Sequence, residues 1–156
     1  MTEHYLLLEW LHILGAAILF GTGLGIAFNF WLALRDANVA VIAAAARATV
    51  IADFVFTLPA VALQPVTGIA LALGAGYALF SGWIVWSTLL YLAAGACWIP
   101  VVLIQLKMRD LAVKSLHESS ALPAEFHRLA RRWVLLGWPA FIAVAAIFWL
   151  MVARPT

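Results

Sequence analysis

The stretch EWLHILGAAILFGTGLG, Glu9 to Gly25, places one imidazole inside an apolar run long enough to cross a bilayer. An ionisable side chain at that depth is expensive, about 3 kcal/mol on insertion scales, so a functional role is its default reading. At helical spacing His12, Gly15, Ala16, Leu19 and Gly23 share one face, and the ring looks along a groove of small side chains. Two chemistries suit such a groove. In the first, small residues let a second helix approach closely, as Gly21-x-x-x-Gly25 also permits, and His12 hydrogen-bonds across the gap. In the second, the groove takes a flat macrocycle, and His12 ligates its iron or another metal.

Other residues join one chemistry or the other. Glu9 lies one turn before His12 on nearly the same face, placed either to orient the second imidazole nitrogen or to reach water at the interface. Met151, toward the end of the last apolar run, offers a thioether at a depth comparable to His12, as a second axial ligand, a Cu(I) ligand or simple packing. His4 falls beyond the membrane edge. Gln64 and Thr67 in LQPVTG flank Pro65, which frees a carbonyl; they repair that kink or line a polar cavity with His12. Asn29 and Asp53 fall at comparable depths, and a hydrogen bond between neighbouring helices accounts for both. Cys97 reads as a small buried hydrophobe, and His117 and His127 lie on opposite arms of a polar connection. The sequence shows no Ser–His–Asp or Cys–His set, paired catalytic carboxylates, zinc-spaced cluster or phosphate loop. GTGLG lacks the strand and turn that a dinucleotide fingerprint needs.

The elements that must position these residues follow from composition. Of 156 residues 67% are hydrophobic and 10% charged, whereas a soluble domain is about half apolar and a quarter charged. Four apolar segments, about 5–34, 49–77, 83–106 and 133–153, each exceed the roughly 20 residues that a bilayer requires. MTEHY carries no Lys or Arg, so the first segment reads as a span and not a cleaved signal. Pro59 and Pro65 predict a kink in the second span, with Gln64 turned toward protein. Arg35 and Arg47 flank the first connection; Lys107, Arg109, Lys114, Arg128, Arg131 and Arg132 flank the third; only Arg154 lies at the opposite end. The positive-inside rule then puts both termini outside and the basic connections in the cytoplasm. Beside the spans, those charges report topology and not nucleic-acid binding.

Tryptophans agree with that direction. Trp10, Trp83, Trp86 and Trp149 fall near the outer interface and Trp31, Trp133 and Trp138 near the inner one, with Trp98 deeper. In the third connection SSALP separates two helical arms, with Pro123 starting the last helix and Glu125 in its first turn. The expected fold is an all-α membrane protein: one domain, 1–156, forming an antiparallel four-helix transmembrane bundle.

LEWLHILGAAILFGTGLG, LPAVALQPVTG, CWIPVVLIQLKMRDLA and LGWPAFIAVAAIFWLMV, one signature per span, resemble a family of small bacterial integral membrane proteins classed as a domain of unknown function. More remotely, LHI in the first span resembles the HemJ-type membrane protoporphyrinogen oxidases and the copper-resistance D membrane proteins. The resemblance implies a multi-pass protein of the bacterial inner membrane, with haem b bound through His12. The oxidase type also uses a lysine in a later span, and Lys107 is the nearest residue to that role here. The resulting expectation is electron transfer or haem-linked redox chemistry, with His12, Glu9, Gly15 and Met151 as cofactor-binding residues and His12 as metal ligand. A redox partner or a homo-oligomer would complete it. The alternatives are copper handling through His12, Glu9 and Met151, or a non-catalytic membrane subunit.

Overall fold

The computed structural model describes residues 3–155, and every element among them is helical. The elements are α1 (Glu3–Ala33), α2 (Val39–Ala52), a π-helical turn (Asp53–Thr57), α3 (Leu58–Gly74), α4 (Gly82–His117) and α5 (Ala124–Ala153). Because α2, the wide turn and α3 run on without a break, four helical rods result, each long and apolar enough to cross a membrane. α1, at 31 residues, is about 46 Å long. Large apolar side chains such as Phe28, Ile142 and Trp149 lie exposed on the outside. In water such a surface would aggregate; here it is the lipid face.

Local chemistry closes each rod. Asn38 caps α2 by accepting from the Ala40 N–H at 2.9 Å, while its own N–H is held by Asp36. Gly76 ends α3 at φ +75°, so the Tyr77 N–H can bond the Ala72 carbonyl at 2.9 Å. Pro123 precedes α5, with Glu125 in the first turn bound to Lys107 of α4. At the opposite end Arg154 donates to the Tyr77 hydroxyl at 2.9 Å, tying the end of α5 to the α3–α4 connection.

Packing is uneven. α4 and α5 pair most extensively, α1 lies on α3, and α2 lies on α4. The densest cluster joins the last turns of α1 to the first turns of α2 and α5 and to the second half of α4, around Phe30, Met108, Ala112, Phe126 and Trp133. Trp133, placed near the inner interface by its position in the sequence, is buried in this cluster. α1 reaches α5 through Phe20, which stacks on Phe141 at 4.7 Å and lies 5.4 Å from Phe148.

The second rod departs from the expected kink between Pro59 and Pro65. Its irregularity lies upstream, in the wide turn Asp53–Thr57, where the Leu58 N–H bonds the Asp53 carbonyl five residues back. Pro59 explains it: the ring lacks an N–H and crowds the carbonyl of Val55, so the turn widens just before it. Pro65 sits inside α3, and the carbonyl it frees, that of Val61, accepts from the Tyr91 hydroxyl of α4. That bond satisfies in hydrocarbon what water would satisfy elsewhere.

Candidate functional site

Two places hold polar side chains inside the bundle. The first is where α1 crosses α3. His12 Nδ1 lies 2.8 Å from Thr67 Oγ1, and Gln64 Nε2 donates to the His12 carbonyl at 2.9 Å. The Thr67 hydroxyl has one proton, and the Leu63 carbonyl lies 2.9 Å from it, one turn back. With the proton on that carbonyl, Thr67 accepts from Nδ1–H, and the lone pair resides on Nε2. The crossing is close because small residues line it. A Cβ on Gly15 would stand 2.6 Å from Gln64 Nε2, and one on Gly68 would stand 3.3 Å from the imidazole Cε1. Gly15 thus admits the Gln64 amide, and Gln64 faces protein as its chemistry demands.

The predicted residues are only partly brought together. The face carrying His12 and Gly15 seats on α3, while Ala16, Leu19 and Gly23 turn to a separate cavity that His12 does not line. Met151 lines that cavity, so it does not share a site with His12. Glu9 is half-buried, and Thr67, not Glu9, holds His12 Nδ1. Asn29 is exposed while Asp53 is buried, and no hydrogen bond joins them among the described residues. Cys97 is a half-buried thiol. Among the described residues no three His, Cys, Asp or Glu side chains assemble in metal-binding geometry.

The second place is that cavity, about 700 Å³, lined by α1, the wide turn with α3, α4 and α5, and open to the outside along exposed Leu24, Phe28 and Trp138. Its volume falls in the range of small-molecule sites. Its walls are mostly apolar and aromatic, including Phe20, Trp138 and Phe141. Its polar-tipped residues come from four elements: Asp53 and Thr57 of the wide turn, Gln64 of α3, Tyr91, Trp98 and Gln105 of α4, and Trp133 of α5. Thr57, Gln105 and Trp98 surround the Asp53 carboxyl. Even so, five buried atoms here lack any hydrogen-bond partner: Asp53 Oδ2, Thr57 Oγ1, Gln105 Oε1, Trp98 Nε1 and Trp133 Nε1. Buried polar atoms are almost always paired, so such a concentration is unusual.

The family model described as Predicted integral membrane protein (DUF2269) matches residues 6–155. The chain belongs to that family. No curated protein and no solved structure matches it. This DUF2269 protein is thus an integral membrane protein by family as well as by its four apolar rods.

Sequence reasoning reached Gln64, as a residue that could line a polar cavity, Asp53, assigned to another partner, and Trp98 and Trp133, noted only for their depth; Thr57, Tyr91 and Gln105 escaped it. A signal was present. Tyr91, Trp98 and Gln105 recur every seven residues, which places three polar-tipped side chains on one face of α4.

Proposed function

We propose that this DUF2269 protein holds a largely apolar small molecule within the bilayer, in the cavity between α1, α3, α4 and α5. One observation carries the reading: five buried polar atoms without partners belong to residues lining a single, otherwise apolar cavity. Each such atom is costly in hydrocarbon, and a bound molecule with a polar end offsets that cost. The apolar remainder supplies contact area, as ligand sites do.

The test uses a glycine in the cavity wall. Gly95 lines the cavity and a Cβ there meets nothing within 4 Å, so Gly95→Leu is expected to fill part of the cavity. Leucine is also the better helix former by about 0.8 kcal/mol. The variant is expected to be at least as heat-stable as the parent. Native mass spectrometry of protein extracted from its own membrane should show a non-covalent adduct on the parent, depleted about tenfold or more in the variant. Equal adduct on both proteins, or none on either, overturns the reading.

A second reading is favoured by the imidazole tautomer. With Nδ1–H fixed on Thr67, Nε2 keeps the lone pair a metal requires, the arrangement in which partners orient a ligating histidine. In this reading His12 is an axial ligand of haem b, the protein serves electron transfer or haem-linked redox chemistry, and the second axial ligand comes from a redox partner or another copy. A reduced-minus-oxidised spectrum after haem-replete expression should then show a Soret band that His12→Ala removes. A colourless parent, or a band that survives the substitution, leaves His12 as a packing residue.

A further inference from the structure

We infer that the molecule held in the cavity is a lipophilic amine, its ammonium group against Asp53 and its apolar body along the walls from α1 and α5. The inference rests on the reading that the cavity is a binding site, and it adds the chemistry of the ligand's head.

Charge is the first argument. Of the residues lining the cavity, Asp53 is the only carboxylate, and none is Lys, Arg or His. Asp53 is 4% exposed, in a segment surrounded by apolar helix. A carboxylate so placed calls for donors or a positive charge; Thr57, Gln105 and Trp98 stand around it, and none of the lining residues brings a positive charge. An anionic ligand would add a like charge. A wholly apolar one would bring no positive charge to the carboxylate.

Hydrogen-bond stoichiometry is the second. Asp53 Oδ2 and Gln105 Oε1 are acceptors without a donor, and the Thr57 hydroxyl beside the carboxyl, which can donate as well as accept, has no partner either. A primary ammonium has three N–H groups and no acceptor, so it matches that set, whereas a hydroxyl has one proton to give. Two indole N–H groups remain: that of Trp98 stands beside the Asp53 carboxyl, and that of Trp133 is left to an acceptor elsewhere on the molecule.

The walls are the third. Tyr91, Trp98 and Trp133 line the same cavity as Asp53. Aromatic faces beside a carboxylate stabilise organic cations, and more so when water is excluded.

The experiment separates head from body. Protein in zwitterionic nanodiscs is titrated calorimetrically with 1-adamantanamine, 1-adamantanol and 1-adamantanecarboxylate, with empty nanodiscs subtracted. The three probes share one apolar cage. The amine is expected to bind about tenfold or more tightly than the alcohol, and the carboxylate most weakly. Asp53→Asn should bring the amine down to the alcohol, while Asp53→Glu keeps the order of the three. Gln105→Leu, which leaves the carboxyl in place, should weaken the amine more than the alcohol. An alcohol that matches the amine on the parent, or an amine preference that survives Asp53→Asn, overturns the inference. So does binding of none of the three. The cavity reading is judged separately, by whether Gly95→Leu loses the native adduct.

Discussion

Phe126→Ala is expected to lower the stability of this protein by about 3–5 kcal/mol, the range for removing a fully enclosed aromatic ring. Phe126 is 0% exposed and packs in the cluster with Met108, Ala112, Leu129 and Ala130, where α4 and α5 run past each other. The place matters as much as the burial. Lys107, Arg109, Lys114, Arg128, Arg131 and Arg132 surround this end of the bundle, so it emerges from the hydrocarbon. Burial there is measured against water, and truncation loses transfer free energy as well as leaving a void. Leu135 is the contrast. It is 71% exposed on the apolar outside, where lipid replaces whatever the side chain touched, and Leu135→Ala should cost under about 0.5 kcal/mol. Thermal and denaturant unfolding in mild detergent, followed by circular dichroism, measures both. Similar losses for the two substitutions would show that the arm cluster is not a water-backed core.

Four spanning helices were legible because composition alone forces them: runs of apolar residues that long have few other fates. One end was legible too, since Pro123 stands at the start of the last helix as expected, whereas Asn38 and Gly76 went unread and the second rod starts at Val39, ahead of the apolar segment 49–77. What sequence could not supply is which helix faces which. Gln64 and Thr67 were recognisable as polar residues that must face protein. Their place beside His12 was one of two readings, and it was decided only by the crossing of α1 and α3 at Gly15 and Gly68.

Asp53 shows a different obstacle. Comparable depth put it beside Asn29, but depth does not say which face a residue takes, and the wide turn Asp53–Thr57 adds a residue to the helical register. The faces on either side of it are therefore offset by about a quarter turn, and Asp53 meets Gln105 and Trp98 of α4 instead. Gln105 itself was hidden by its neighbours. It stands two residues from Lys107, in a stretch whose composition reads as the mouth of a span, although its side chain is 5% exposed and lines the cavity.

Thr67→Val is expected to cost about 1–2 kcal/mol, although valine has nearly the shape of threonine. The hydroxyl gives its proton to the Leu63 carbonyl and accepts from His12 Nδ1–H at 2.8 Å. Valine leaves that N–H facing a methyl group in a setting with no water to replace the bond. The Leu63 carbonyl keeps its own helical partner, so the loss falls on the imidazole. Gln64 still donates to the His12 carbonyl, which holds the two helices in register and confines the effect to one bond. Pairing Thr67→Val with His12→Phe turns this into a measurement of the interaction itself. Once the ring nitrogens are gone, the hydroxyl has nothing on α1 to accept from, and the second substitution should cost about 1 kcal/mol less than it does alone. Unfolding of the four proteins against the mole fraction of dodecyl sulfate in mixed micelles gives the cycle. Effects that add to within about 0.3 kcal/mol would mean that ring and hydroxyl do not act on each other, and His12 would then owe its place on α3 to packing alone.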